Sequence, residues 1–203
     1  MPASAALGFR AHSGWTAAVA VGGSAEKPLI LDRRRIETSD TAIHGSRQPF
    51  HAAEPLSFEE AEAWIRQCRE SSMLLATRAV TAMVAQLTLN GHVVVGAGIL
   101  FASGRPLPLL AAILRSHALI HTAEGEFFRE VLVHASEHCS LPVTKIKERE
   151  IWERGTTVLR RPSADLQQLI DGLGKSLGPP WRQDEKLASM AAWIALAGGG
   201  LLH

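Results

Sequence analysis

The sequence predicts one α/β domain in which the strands come first and the helices follow. Three short apolar runs near the start are separated by Gly, Ser and Pro, which is typical of an antiparallel meander. Helical stripes then alternate with two further strand-like segments. We expect the five strands to form one mixed sheet flanked by helices. Residues 1–203 fit a single domain of ordinary size.

The composition is that of a globular protein, with 46% hydrophobic and 20% charged residues. The 21 basic and 20 acidic residues leave a net charge of +1, which gives no global attraction to nucleic acid or anionic membranes. The two cysteines lack metal-site spacing, so we expect reduced thiols in a cytoplasmic protein. Without a signal-like start or a run of eighteen apolar residues, no membrane partner is expected.

The first three strands are predicted at residues 5–9, 15–21 and 29–35. Gly14 lies in the first turn, and Pro28 introduces the third strand. The third strand alternates and has a polar end, which is typical of a sheet edge. Residues 37–55 are polar and irregular, and we expect a long loop there. A loop of this length inside a compact domain is often functional.

The longest helix is predicted at residues 58–89. It begins with Ser57 and Glu60 at capping-box spacing, and an apolar stripe follows at helical period. Asn90 and Gly91 end it, because either can take the left-handed conformation of a helix cap. Residues 92–101 then form the fourth strand, whose β-branched start suits burial on both faces.

The last third of the chain is predicted to be mainly helical. After a turn at residues 104–108, residues 109–139 form either two helices or one helix kinked near Gly125. A fifth strand follows at residues 141–147, and helices follow at residues 165–173 and 183–196. We expect the apolar C-terminal segment to dock on the core.

The order of elements and the first hairpin resemble the ribonuclease H-like superfamily, and within it the Holliday-junction resolvase branch. Those resolvases begin with an apolar strand, an Asp, a small turn and a second strand. Here Leu7-Gly8-Phe9 is followed by residues 10–14 and then by the strand at 15–21. The resemblance covers the layout of most of the chain. It implies a three-layer fold in which the mixed five-stranded sheet lies between helices.

The resemblance implies a metal centre for which the expected residues are largely missing. In that superfamily, carboxylates at strand ends and on the last helix hold two divalent metals that drive phosphodiester cleavage. Arg10 stands at the first-strand Asp position, and Gly96 or Ala97 stands at the fourth-strand acid position. Asp184 and Glu185 are acidic at the last-helix position. Because a guanidinium is a cation without an acceptor, we expect the fold without its ordinary nuclease chemistry.

The densest polar feature of the sequence contains His117, His121 and Glu124. On a helix these three share one face, because residues three and four apart are neighbours. Two imidazoles and a carboxylate are a ligand set for zinc or another transition metal, so a divalent metal is the candidate cofactor. The alternative is a polar helix face in which Thr122 caps a helix that starts at residue 123. His134 and His138 repeat the spacing, but we expect a solvated face there.

Three functions are open at this point. The first is a divergent, non-catalytic domain with a binding or assembly role and a nucleic-acid or protein partner. Its site is expected where the first turn, the end of strand four and the last helix meet. Arg10 and His12 would meet Glu124, Glu126 and Asp184 there, with Arg10 paired to one of these carboxylates in place of a metal. The binding residues would be Arg10, His12 and Ser13.

The second function is a metal-dependent hydrolase that cleaves phosphodiesters at a relocated site. Its catalytic residues would be Glu124, Glu126 and Asp184, and its metal ligands would be His117, His121 and Glu124. The third is a homo-oligomeric scaffold that associates through the apolar C-terminal helix, with Trp181 and Trp193 as anchors.

Overall fold

The five strands form one mixed sheet in the order β3-β2-β1-β4-β5. The computed structural model describes residues 2–24, 26–102 and 106–199, so the predicted turn at 104–108 lies partly outside the described residues. The strands are β1 (Ala3–His12), β2 (Trp15–Gly23), β3 (Pro28–Glu37), β4 (His92–Phe101) and β5 (Val143–Lys147). Strands β1 to β3 are antiparallel neighbours, whereas β4 runs parallel to both β1 and β5. The predicted meander and the edge position of β3 are confirmed.

Helices cover both faces of the sheet and complete the three-layer fold that the sequence predicted. They are α1 (Pro49–Ala53), α2 (Phe58–Leu89), α3 (Leu110–Ile113), α4 (His117–His138), α5 (Ile151–Leu159), α6 (Ser163–Leu173) and α7 (Gln183–Gly199). On one face α2 and α4 pack on each other and on the sheet, and on the other face α7 crosses β1, β4 and β2. Alternation along β1 divides the core, because Leu7 and Phe9 face the first layer and Ala6 faces the second.

Helix α7 lies unusually close to the sheet, and two glycines allow it. A Cβ on Gly8 would overlap the backbone oxygen of Ala188, and one on Gly98 would overlap that of Ala191. The helix backbone therefore rests directly on β1 and β4, which fixes where the first turn of α7 stands relative to the end of β1.

The C-terminal helix is buried in the core of its own chain, as predicted. Trp193 is 0% exposed and lies in the core cluster between α7 and the sheet. It is therefore not available as the anchor of an oligomer interface. The indole nitrogen of Trp181 donates to the carbonyl of Ile170, and its ring packs over Gly174. Trp181 is only half-buried, so its role as an anchor and the oligomeric state both stay predictions.

Of the two alternatives for residues 109–139, two helices is confirmed: α3 and α4 are separated at residues 114–116, and Gly125 lies inside α4. Two predictions about local structure are wrong. Thr122 is also inside α4, where its hydroxyl donates to the carbonyl of Ala118, so it does not cap a helix at residue 123. The irregular segment at 37–55 contains helix α1. Helix α5 was not predicted at all; it contains Gly155, which lowers helix propensity.

Helix α2 is long and apolar enough, by length and composition alone, to cross a membrane. Core helices of soluble proteins often pass the same test, so this is weak evidence. Here a stripe that includes Ile65, Cys68 and Met83 is buried in the core formed with α4 and the sheet. The capping box of Ser57 and Glu60 at its start is present as predicted.

Candidate functional site

Strands β1, β4 and β5 run in the same direction, so their carboxyl ends meet at one end of the sheet, beside the first turn of α7. We call this region the sheet edge; it is distinct from the edge strand β3. Because β1 and β5 both run parallel to β4, side chains at their ends converge there. An open cleft of about 830 Å³ lies at this edge. Its lining is Arg10, Ala11, His12, Ala102, Arg129, Glu148, Arg149, Trp152, Gln183 and Leu187.

Arg10 lies between two carboxylates at this edge. Its Nε and Nη2 donate to the two carboxylate oxygens of Glu148, at 3.1 and 2.8 Å. Its Nη1 donates to Oδ1 of Asp184. The bonds to Glu148 are the largest cause that raises the pKa of the Arg10 guanidinium above its ordinary value, and Asp184 adds to it. The edge therefore carries a permanent cation held in a bidentate, charge-assisted pair.

Asp184 is one of the three acids that the sequence offered as a partner of Arg10, whereas Glu148 was missed. A signal for Glu148 was available, because it follows β5 directly and so stands at the carboxyl end of a parallel strand. The expected neighbours Glu124 and Glu126 are not lining residues of this cleft. Glu126 instead pairs with Arg129, at 3.3 Å, and only Arg129 reaches the lining.

Next to the Arg10 network, the side chains of His12, Trp15 and Arg35 stack on one another in the direction of β3. Nε2 of His12 lies 2.8 Å from Oδ1 of Asp184. The His12 ring stacks on Trp15 with 4.2 Å between ring centroids, and the Arg35 guanidinium lies 4.1 Å from the centre of the Trp15 ring. Burial tends to raise the pKa of Asp184, but the bonds from His12 and Arg10 outweigh it and hold that pKa below its ordinary value.

Strand β4 supplies no acid to the sheet edge, as predicted. The residue that reaches the edge is not Gly96 or Ala97, however. In the parallel ladder Phe9 stands opposite Ile99, and Ala97 stands opposite Leu7, well before the end of the strand. Gly96 and Ala97 therefore lie too deep in the sheet, and Ala102 lines the cleft instead. A shift in register between Ala5 and Leu7 contributes to this offset.

Glu124 lies under helix α1, and not beside Arg10. It is 3% exposed, and its Oε1 accepts from the backbone N–H groups of Phe50 and His51, at 2.9 and 3.1 Å. Nδ1 of His51 lies 3.1 Å from the same oxygen. Oε2 is buried and has no hydrogen-bond partner among the described residues. Burial raises the pKa of Glu124 despite the bonds from His51 and Phe50.

His117 and His121 do come together on α4, and the third member of their group is His51. One ring nitrogen from each of the three lies within 4.8 Å of the other two. Glu124 was the predicted third ligand, but it stands behind His51 instead. His51 was missed because its segment was predicted to be an irregular loop, and α1 is what places it over α4. His134 and His138 are exposed, as expected.

Ser13 faces a different cleft from its neighbour His12. This second cleft, of about 480 Å³, is lined by Ser13, Gly45, Arg47, Gln48, His51 and Ala52. The predicted binding residues are thus divided between two clefts, with Arg10 and His12 on one side of the β1–β2 turn and Ser13 on the other. Their binding roles stay predictions.

Comparison with known proteins supports the fold. No protein-family model matches the chain, and no curated protein matches it either. Among solved structures, the chain is similar to T. thermophilus RuvC in complex with Holliday junction substrate, with a TM-score of 0.56, 9% identity and coverage of 98% of this chain and 96% of that one. For a second Thermus thermophilus RuvC structure the TM-score is 0.50, with 11% identity and coverage of 94% and 92%. The ribonuclease H-like, resolvase-like fold predicted from the sequence is confirmed.

Proposed function

We propose that this chain is a divergent ribonuclease H-like domain that binds its partner at the sheet edge without cleaving it. The observation that carries this proposal is the position of Arg10, which donates to both Glu148 and Asp184. The similarity to RuvC supports a nuclease-like fold, and Arg10 stands where the resemblance implies a metal-binding Asp.

The residues at the sheet edge do not fit a two-metal centre. Mg²⁺ requires oxygen ligands in near-octahedral geometry. Here the oxygens of Glu148 and one oxygen of Asp184 are occupied by N–H donors of Arg10, and Ala102, which directly follows β4, has no ligand atom in its side chain. A guanidinium at this place repels a divalent cation and offers it no lone pair. The side chains at this edge therefore do not support metal-assisted cleavage.

Nucleic acid is the partner that the cleft favours. Its described lining holds three arginines, Arg10, Arg129 and Arg149, and one acid, Glu148. Each of these arginines also contacts an acid, but the side chain of Arg149 is 73% exposed and is the one best placed to contact a phosphate group. The similar RuvC structure is a complex with a Holliday junction substrate, which makes branched DNA the first ligand to test.

The test measures binding and cleavage on the same labelled DNA. We expect fluorescence anisotropy to show salt-sensitive binding of a four-way junction, with no cleavage in Mg²⁺. The side chain of Arg149 is 73% exposed in the cleft, so Arg149→Ala should weaken binding of the junction. Arg78→Ala on the exposed face of α2 is the matched control and should change nothing. Cleavage in Mg²⁺, or no binding at low salt, would contradict the proposal.

A relocated hydrolase is the second candidate, and the cluster of His51, His117 and His121 favours it. The same cleavage assay repeated with Zn²⁺ and Mn²⁺ tests it. Cleavage that disappears in a His117→Ala/His121→Ala variant would establish this function in place of the first one.

We also propose that residues 1–203 act as one domain in the cytoplasm. Cys68 is buried and Cys139 is half-buried, and the proposal holds that both stay reduced thiols in that compartment. Limited proteolysis that yields two stable fragments would contradict the single domain.

A further inference from the structure

We propose that His51, His117 and His121 bind one transition-metal ion, with Zn²⁺ as the expected metal, and that Glu124 is the positioning residue for His51. This site is separate from the sheet edge, and it does not depend on the function proposed there.

The geometry of the three imidazoles is close to that of a metal site. His117 and His121 are four residues apart on α4, and their Nε2 atoms lie 3.0 Å apart. Two nitrogens bound to one tetrahedral Zn²⁺ at about 2.1 Å stand about 3.4 Å apart, so only a small ring movement is needed. The His51 ring centre lies 5.4 Å from that of His117 and 4.7 Å from that of His121.

Glu124 supplies the support that metal-binding histidines commonly have. A ligating imidazole usually donates its second N–H to a carboxylate, which fixes the ring and makes it a better ligand. Oε1 of Glu124 is positioned to accept from Nδ1 of His51, which leaves Nε2 free for a metal. The same oxygen accepts from the backbone of Phe50 and His51, so the carboxylate also holds α1 in place over α4.

A carboxylate with this burial is the second observation that points to a bound cation. Glu124 is 97% removed from solvent, with Oε2 unpartnered among the described residues, and no Lys or Arg pairs with it there. Burying an acid without a compensating cation is costly. A divalent ion on the far side of the His51 ring would supply that compensation.

The ligand set selects the class of metal. Neutral imidazoles favour Zn²⁺ and similar transition metals over Mg²⁺ or Ca²⁺, which prefer oxygen. Three protein ligands leave a fourth position open, as in zinc sites that bind a water or a small anion. His51 also lines the cleft with Ser13 and Arg47, so an anionic ligand has both an entry path and a nearby cation.

The experiment titrates metal-stripped protein with ZnCl₂ by calorimetry and with Co²⁺ by visible absorption. We expect one ion per chain, a Co²⁺ spectrum typical of tetrahedral nitrogen ligation, and a rise in melting temperature on adding Zn²⁺. His117→Ala/His121→Ala should abolish binding. Because both side chains are exposed, this variant should still fold.

A control variant exists on the same helix. His134 and His138 have the same spacing and are exposed, but no third histidine joins them among the described residues. His134→Ala/His138→Ala should therefore bind Zn²⁺ as the unchanged protein does. Glu124→Gln should weaken binding by about 10- to 100-fold, with an altered Co²⁺ spectrum that a purely structural role would not produce.

The proposal is overturned if the unchanged protein fails to bind Zn²⁺ stoichiometrically, or if the His117/His121 variant binds it equally well. Loss of binding in the His134/His138 control would also overturn it, since the metal would then be elsewhere. An unchanged affinity and Co²⁺ spectrum in a folded Glu124→Gln variant would remove the positioning role.

Discussion

Replacing Arg10 by Ala should destabilise the fold by about 2 kcal/mol. The change leaves Glu148 and Asp184 without the cation that both of them contact. The three side chains are 20%, 36% and 25% exposed, so the pairs are neither free in water nor fully buried. Exposed pairs contribute about 0–1 kcal/mol, and removing one partner of a buried pair costs about 3–5 kcal/mol. The expected value lies between these ranges.

Urea denaturation measures this loss, and a double-mutant cycle isolates its electrostatic part. Arg10→Met keeps most of the aliphatic stem, so it separates lost packing from lost charge. Combining Arg10→Met with Asp184→Asn should give a coupling energy of about 1 kcal/mol, within the usual range for residues in contact. Arg149→Ala, an exposed arginine in the same cleft, should change stability by less than about 0.5 kcal/mol.

The reasoning is refuted if Arg10→Ala loses less than about 0.5 kcal/mol and the coupling energy is near zero. Arg10 would then be a solvated surface arginine, and its contacts with the two acids would not explain why the sheet edge does not fit a two-metal centre. A loss that is equal in Arg10→Ala and Arg149→Ala would have the same meaning.

Three further predictions concern the packing of two glycines, the titration of Asp184 and the sheet edge without Arg10. Gly98→Ala should lower the stability of the fold by about 3 kcal/mol, because the added Cβ would overlap the backbone of Ala191. Gly172→Ala in α6, where a Cβ would meet open space, should raise it by up to about 1 kcal/mol, and thermal melts of the two variants measure the difference. The pKa of Asp184 is lowered in the fold, so the stability that Asp184 contributes should be present above its unfolded pKa and lost as acid protonates the carboxylate. Asp184→Asn should therefore flatten the pH dependence of the free energy of unfolding in that range, measured by urea denaturation. Arg10→Asp, made in the His117→Ala/His121→Ala background, should gain Mn²⁺ binding by calorimetry, since three carboxylates would then meet at the edge.

Elements with strong local signals could be predicted from the sequence. Helix α2 has a capping box at Ser57 and an end at Gly91, and β4 has a run of β-branched residues, so the predicted bounds of both match the structure. Helix α5 lacks such signals, because Gly155 and two threonines follow one another in it. The glycine lies against α7, where a Cβ would meet the terminal methyl of Met190.

The site residues were predictable where one element carries them and not where two distant elements meet. His117 and His121 share a turn of α4, so their proximity follows from helix geometry alone. The position of His51 depends on how α1 docks over α4, and no local pattern encodes that. Glu148 was within reach of a topological argument, because the end of β5 lies beside the end of β4 in the sheet.

The two polar centres differ in what they leave available for a ligand. At the sheet edge, Arg10 is already matched by Glu148 and Asp184, so that network is closed to a metal. At the α1–α4 contact, three imidazoles converge in front of a buried acid that no Lys or Arg contacts among the described residues.

The β1–β2 turn joins these centres, because His12 lines one cleft and the adjacent Ser13 lines the other. Because the two clefts share no lining residue among the described residues, variants of Arg10 should change stability and leave Zn²⁺ affinity intact. His117→Ala/His121→Ala should abolish Zn²⁺ binding and leave the stability of the metal-free protein unchanged. If each set of variants changed both properties, the turn would be coupling the clefts, and the two centres would have to be treated as one site.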